Sequence, residues 1–160
     1  MKVLLINQSF WPDVAATGQL LTDVARHLST LGHEVTVICS RNMYGSDPAG
    51  EDAPDVRIIR VPGPPFARSV LGRGLSYICF FLGALWKAFR LRETDLVLTL
   101  TTPPLLSLTG TLLKKTSGAK HYIWEMDLFP DALVSLKALR AESLMTRLLG
   151  VAADYSRKQS

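Results

Sequence analysis

The chain is poor in cysteine. Its 160 residues hold two, Cys39 and Cys79, each inside an apolar segment. That excludes a disulfide-dense scaffold, and no Cys/His spacing suggests zinc or another bound metal. Two buried free thiols are the expected state, which points to a reducing, cytoplasmic setting. Histidine is also scarce: His27 falls on an outward helical face, His33 follows a helix-ending glycine, and His121 lies inside a strand. None completes a Ser/His/Asp or Cys/His arrangement. The three-glycine dinucleotide fingerprint is missing, and so is a phosphate loop ending in Lys-Ser/Thr. With no nucleophile elbow either, a small nucleotide hydrolase is disfavoured. There is no internal repeat and no low-complexity linker. The leading "MKVLLIN" is too short for a signal peptide. Basic residues are interleaved with acids at a net charge of +4, which describes a solvated surface and gives no reason to expect a nucleic-acid partner.

Long apolar runs are absent as well. The longest, Tyr77 to Trp86, is ten residues of apolar or small type, where a membrane span needs about 20. It lies inside "LSYICFFLGALWKAF" (75–89), with Arg73, Lys87, Arg90 and Arg92 close by. Two readings stay open: a helix buried in the core, or an aromatic-rich helix resting in the interface of an anionic membrane.

What is present is the pattern of an ordinary globular chain, 48% apolar and 20% charged. The length fits one domain, here residues 1–160. "KVLLIN" (2–7) reads as a strand buried on both faces, as in a parallel sheet. From Thr17 the apolar residues Leu20, Leu21, Val24, Ala25, Leu28 and Leu31 fall at helical spacing. Thr17 is the expected N-cap of this helix and Gly32 its C′ residue. Strands follow at 34–40, 56–62, 94–101 and 119–126. Helices are expected at about 70–91, at 103–118 and from Ser143 to about Arg157, with a short helix between Asp127 and Leu139. Such alternation predicts a doubly wound, mostly parallel α/β domain of Rossmann-like type.

Ligands of open α/β sheets bind at the carboxyl ends of the strands. Four segments end there: Asn7 to Gly18, Ser40 to Asn42, Thr99 to Pro104, and Trp124 to Asp131. Glu125, Asp127 and Asp131 in the last of these could orient or deprotonate a hydroxyl; capping the short helix is the plainer role for Asp131. Thr102 can equally cap its own helix. Gly18, in a helical first turn, could admit an anion to the free N–H groups there. The aromatics Phe10 and Trp11, followed by Pro12, are unusual in a plain connection and suggest a loop that touches a ligand.

"FWPDVAATGQLLTDVARHLSTLGHEVTVICS" and "DLVLTLTTPPLLSLTGTLLKKTSGAKHYIWEMDLFPDALVSLKAL" resemble, in order and over nearly the whole chain, family four glycosyltransferases of the GT-B fold, in particular those building bacterial surface polysaccharides. The resemblance implies an N-terminal, acceptor-side half, with the donor-binding C-terminal domain absent. It implies retaining transfer from a sugar nucleotide, which is a substrate and not a cofactor, to a lipid-linked saccharide at the inner membrane face. Asp127 would face the transfer centre, with Thr102 and Pro103 nearby. Phe10, Trp11 and Pro12 would shape the acceptor side, and Thr17 and Gly18 would let a sugar or phosphate approach. Ala16-Thr17-Gly18 stands where paired glycines are commoner in the family. Such a half is expected to be inactive alone and to need a C-terminal half or catalytic partner. A non-enzymatic membrane-docking or scaffold subunit is the alternative.

Overall fold

The first apolar run forms the centre of the sheet because both of its faces are hydrophobic. In the computed structural model, β1 (Lys2–Ile6) sends Val3 and Leu5 to one face and Leu4 and Ile6 to the other. The structure describes residues 1–43, 45, 52–65, 70–91, 93–128 and 143–160. Around β1 lie β2 (Glu34–Ser40), β3 (Arg57–Val61), β4 (Leu96–Leu100) and β5 (Lys120–Trp124), all parallel, in the order β3-β2-β1-β4-β5. The predicted strands match these within two residues at either end. The short helix expected between Asp127 and Leu139 falls almost wholly outside the described residues.

Helix α1 (Ala16–Thr30) covers the face of Val3 and Leu5 with Leu21, Ala25 and Leu28. It ends as expected: Gly32 takes a φ of +79°, and His33 N–H returns to Leu28 O at 3.1 Å. Its start differs from expectation. The N-cap is Ala15, and Thr17 lies inside the first turn, because Asp13 supplies the acceptor there: its Oδ1 takes Ala15 N–H at 3.2 Å. The opposite face is covered by α2 (Val70–Phe89) and α3 (Ser107–Ser117), through Phe80, Ala84, Ala88, Leu106 and Leu113. Gly83 is required in this layer: a Cβ there would meet Val61 Cγ1 at 2.3 Å. The last helix, α4 (Leu144–Gln159), packs on α3, where Ser156 Oγ and Thr111 Oγ1 lie 2.9 Å apart, both buried. Cys39 is buried and Cys79 only half-buried, and both are free thiols.

His121 is a core residue of β5. Its ring lies where a side chain on Gly110 would stand, since a Cβ at Gly110 would come within 2.2 Å of Nε2. Nε2 is 2.9 Å from Thr99 Oγ1, while Nδ1 has no hydrogen-bond partner among the described residues. Burial, with a smaller push from Lys114, lowers its pKa from 6.5 to about 4. The unfolded chain therefore binds this proton more readily than the folded one. The stability it protects is complete above pH 6.5 and is lost as pH falls toward about 4. We expect a loss of up to about 1.4 kcal/mol per pH unit in that window, measured as urea midpoints. His121→Gln should flatten this part of the slope; equal slopes in both proteins would show that His121 protonates in the fold without cost.

Candidate functional site

In a doubly wound sheet the ligand crevice opens where the strand order reverses. Here that is between β1 and β4, so the loops leaving these two strands form its rim. They are fastened to each other through one residue. Gln8 N–H donates to Thr102 O at 3.2 Å, and Gln8 O accepts from Ser40 N–H, at the end of β2, at 2.8 Å. The Gln8 side chain, 1% exposed, donates from Nε2 to Ser76 Oγ of α2 at 3.4 Å, and its Oε1 has no partner among the described residues. Neighbouring Asn7 is also buried, with Nδ2 on Ser9 O at 2.7 Å and Oδ1 unpartnered among the described residues.

The end of β5 joins this rim through a threonine. Thr101 Oγ1 accepts both Met126 N–H and Asp127 N–H, each at 3.3 Å. Asp127 is thereby held beside the β4 loop with its side chain exposed. Thr102 is half-buried and Pro103 buried, and the peptide bond between them is cis, as is that between Trp11 and Pro12. Glu125 points into a different role: its Oε1 accepts from Arg157 Nε of α4 at 2.6 Å. Asp131 lies outside the described residues.

The expected ligand-facing residues of the first loop divide. Trp11, Pro12 and Thr17 are half-buried. Phe10 is 1% exposed and packs in the core with Leu5, Leu21 and Ala25, so this aromatic fastens the loop to α1 and faces no ligand. Gly18 is also buried, and its small size has a local cause. A Cβ there would stand 3.2 Å from Phe10 N and from Ser9 C, so the absent side chain lets the returning loop lie on the helix. Thr22 strengthens the same contact, accepting Trp11 N–H at 3.2 Å and donating to Gly18 O at 2.8 Å.

Sequence reasoning missed Gln8, Asp13, Arg60 and Thr101. Asp13 is buried, and its Oδ1 also accepts from Gly45 N–H at 3.4 Å, bracing the loop after β2 against that after β1. Its place two residues before the N-cap is a usable signal. Arg60 carries no such signal. On an edge strand it reads as a solvated charge, yet its Nη2 donates to Trp11 O at 2.8 Å and its Nη1 lies 3.5 Å from Ser40 O. It lies over Cys39, whose thiol is raised to about 11 mainly by burial and so stays neutral at physiological pH.

Comparison with known proteins gives a family and two partial matches. The family described as "Glycosyl transferase 4-like domain" matches residues 16–154. The chain is 38% identical over 81 residues to "Probable glycosyltransferase WbjE" of Pseudomonas aeruginosa, a stretch covering 50% of this chain and 20% of that protein. It is 35% identical over 68 residues to a "GDP-mannose-dependent alpha-mannosyltransferase" of Mycolicibacterium smegmatis, covering 42% of this chain and 18% of the relative.

The Thr101 contact gives a direct test of how the rim is held. Thr101→Val keeps the side-chain shape and removes the acceptor. We expect a loss of about 1 kcal/mol in stability and faster hydrogen exchange at the Met126 and Asp127 amides. Unchanged exchange at both amides would mean that other contacts hold this segment.

Proposed function

This chain belongs to the glycosyl transferase 4-like domain family, and on that premise we propose that it is the N-terminal, acceptor-side part of a retaining glycosyltransferase. The donor is a sugar nucleotide, and the acceptor a lipid-linked saccharide in polysaccharide assembly at the inner face of the cell membrane. Asp127 is the residue assigned to the transfer centre, where its carboxylate orients the acceptor hydroxyl. The observation that carries the assignment is the pair of hydrogen bonds from Met126 and Asp127 N–H to Thr101, which keep an exposed carboxylate beside the β1/β4 reversal. Thr102 and Pro103 stand on the adjoining loop, and Trp11, Pro12 and Thr17 across from it. The donor is consumed as a substrate, and no resident metal or cofactor is assigned.

The acceptor's lipid is matched by the outward face of α2. One face of this helix lies on the sheet. The other exposes Leu75, Ile78, Leu82, Trp86 and Phe89, and the helix contains no acidic residue. Trp86 carries the Arg90 guanidinium at 3.9 Å and the Lys87 ammonium at 5.0 Å from its ring centroid. An apolar row ending in an aromatic with two cations suits the headgroup level of an anionic bilayer. No described helix is long and apolar enough to cross a membrane. The same face favours the second reading, a membrane-docking or scaffold subunit that recruits a catalytic partner.

Two experiments separate these readings. The chain joined to a donor-binding C-terminal half should transfer sugar, and the chain alone should not. Asp127→Asn should cut the joined enzyme's turnover by about 100-fold or more with an unchanged melting temperature, a loss of about 3 kcal/mol in transition-state stabilisation. Unchanged turnover would remove Asp127 from the centre, and no transfer from any nucleotide donor by a folded joined protein would leave the scaffold reading. Separately, the chain should co-sediment with anionic vesicles, less so as salt rises, and Leu82→Asp should abolish it. Absence of binding by the folded protein would return α2 to a purely structural role.

A further inference from the structure

Arg60 is a cation with no counter-ion among the described residues. It stands on the edge strand β3, in register with Cys39 of β2, and its side chain rises on the face that α1 covers. The residue is half-buried. Cys39 beside it supplies no opposite charge, because burial keeps its thiol neutral. The guanidinium meets main-chain oxygens instead. Nη2 donates to Trp11 O at 2.8 Å, and Nη1 lies 3.5 Å from Ser40 O. A half-desolvated cation held by carbonyls rather than carboxylates adds little net stability. What it does provide is a firm hold on one carbonyl, since an ionised donor makes a stronger hydrogen bond than a neutral one.

That carbonyl lies outside the local turn. Pro12 brings no N–H, and the turn from Phe10 to Asp13 closes through Phe10 O, which accepts Asp13 N–H at 3.0 Å. On its other side, Trp11 N–H donates to Thr22 Oγ1 at 3.2 Å. Trp11 is thus clamped through both main-chain groups, by α1 and by the edge of the sheet. Its half-buried ring rests on the core cluster of Leu5 and Leu21.

Resting on the acceptor-side reading of this loop, we propose that Arg60 is a positioning residue for the saccharide acceptor: it holds Trp11 O and so sets the pose of the indole against which an acceptor sugar stacks. Arg60 itself touches no substrate. A sugar ring offers a face of C–H groups to an indole, and that contact needs the ring plane fixed before binding. A loosened Trp11 weakens acceptor binding and leaves the chemistry at Asp127 unchanged, so the effect falls on the acceptor KM and not on kcat.

Two measurements test it. In this chain, Arg60→Met should speed hydrogen exchange at the Trp11 and Asp13 amides at least about threefold, with the amides of β1 and β4 unchanged. In the chain joined to a donor-binding C-terminal half, Arg60→Met should raise the acceptor KM about tenfold. Both kcat and the donor KM should stay within about twofold. Arg60→Lys, which keeps one charged donor, should lie between the two proteins and serves in both measurements if Arg60→Met does not fold. Trp11→Ala should raise the same KM, and adding Arg60→Met to it should change the value less than about twofold, because the effect runs through that ring. An Arg60→Met effect of equal size with and without the Trp11 ring would show direct contact with the acceptor. A fall in kcat at constant KM would show action at the transfer centre, and unchanged exchange would show that other contacts hold the loop. Each of these three results would overturn the proposal. A joined protein that transfers no sugar with Arg60 in place overturns the reading of function instead, and exchange in the chain alone then decides whether Arg60 holds Trp11.

Discussion

Everything at the carboxyl edge of this sheet hangs on the main chain of Gln8. Two residues past the end of β1, its N–H holds the loop after β4 and its C=O holds the end of β2. Three loops are thus registered by two backbone hydrogen bonds that no side-chain replacement can remove, apart from proline. The reversal of strand order makes this possible, because it places β1 between β2 and β4 at the switch point of the sheet. Secondary fastenings then extend the frame outward, Thr101 to the end of β5 and Arg60 to the carbonyl of Trp11.

The architecture is legible in the sequence because it rests on short-range signals. Continuous apolar runs mark the buried strands, helical spacing marks α1, and Gly32 marks its end. Those signals are local and survive without tertiary information. The composition of the rim is harder to read, because its key contacts join residues far apart in the chain. Phe10 stands out as an aromatic in a connection, and nothing local tells an aromatic that lines a cleft from one that wedges a loop onto a helix. Gly18 reads as an anion site for the same reason, while its small size answers to the backbone of Ser9 and Phe10. Arg60 and Thr101 are invisible without the sheet order, which alone brings their strands beside the loops they hold.

By sequence, segment 75–89 can be read as a core helix or as an interfacial one, and the structure divides it by face. The residues toward the sheet are small or aromatic and buried, and those away from it are large, apolar and exposed. A helix with apolar residues on every side carries no polar stripe to mark its outer face, so only the position of the sheet decides.

The interlock of His121 with Gly110 restricts how this sequence can drift. The imidazole occupies the volume that any side chain at position 110 needs, so the two residues fill one site from opposite elements, β5 and α3. Neither can be enlarged alone, and shrinking His121 opens a void that only a larger residue at 110 would fill. Related chains should therefore vary at these positions as a pair with conserved total volume. The pairing also fixes how close α3 can approach the sheet, and with it the depth at which the loop after β4 enters the rim.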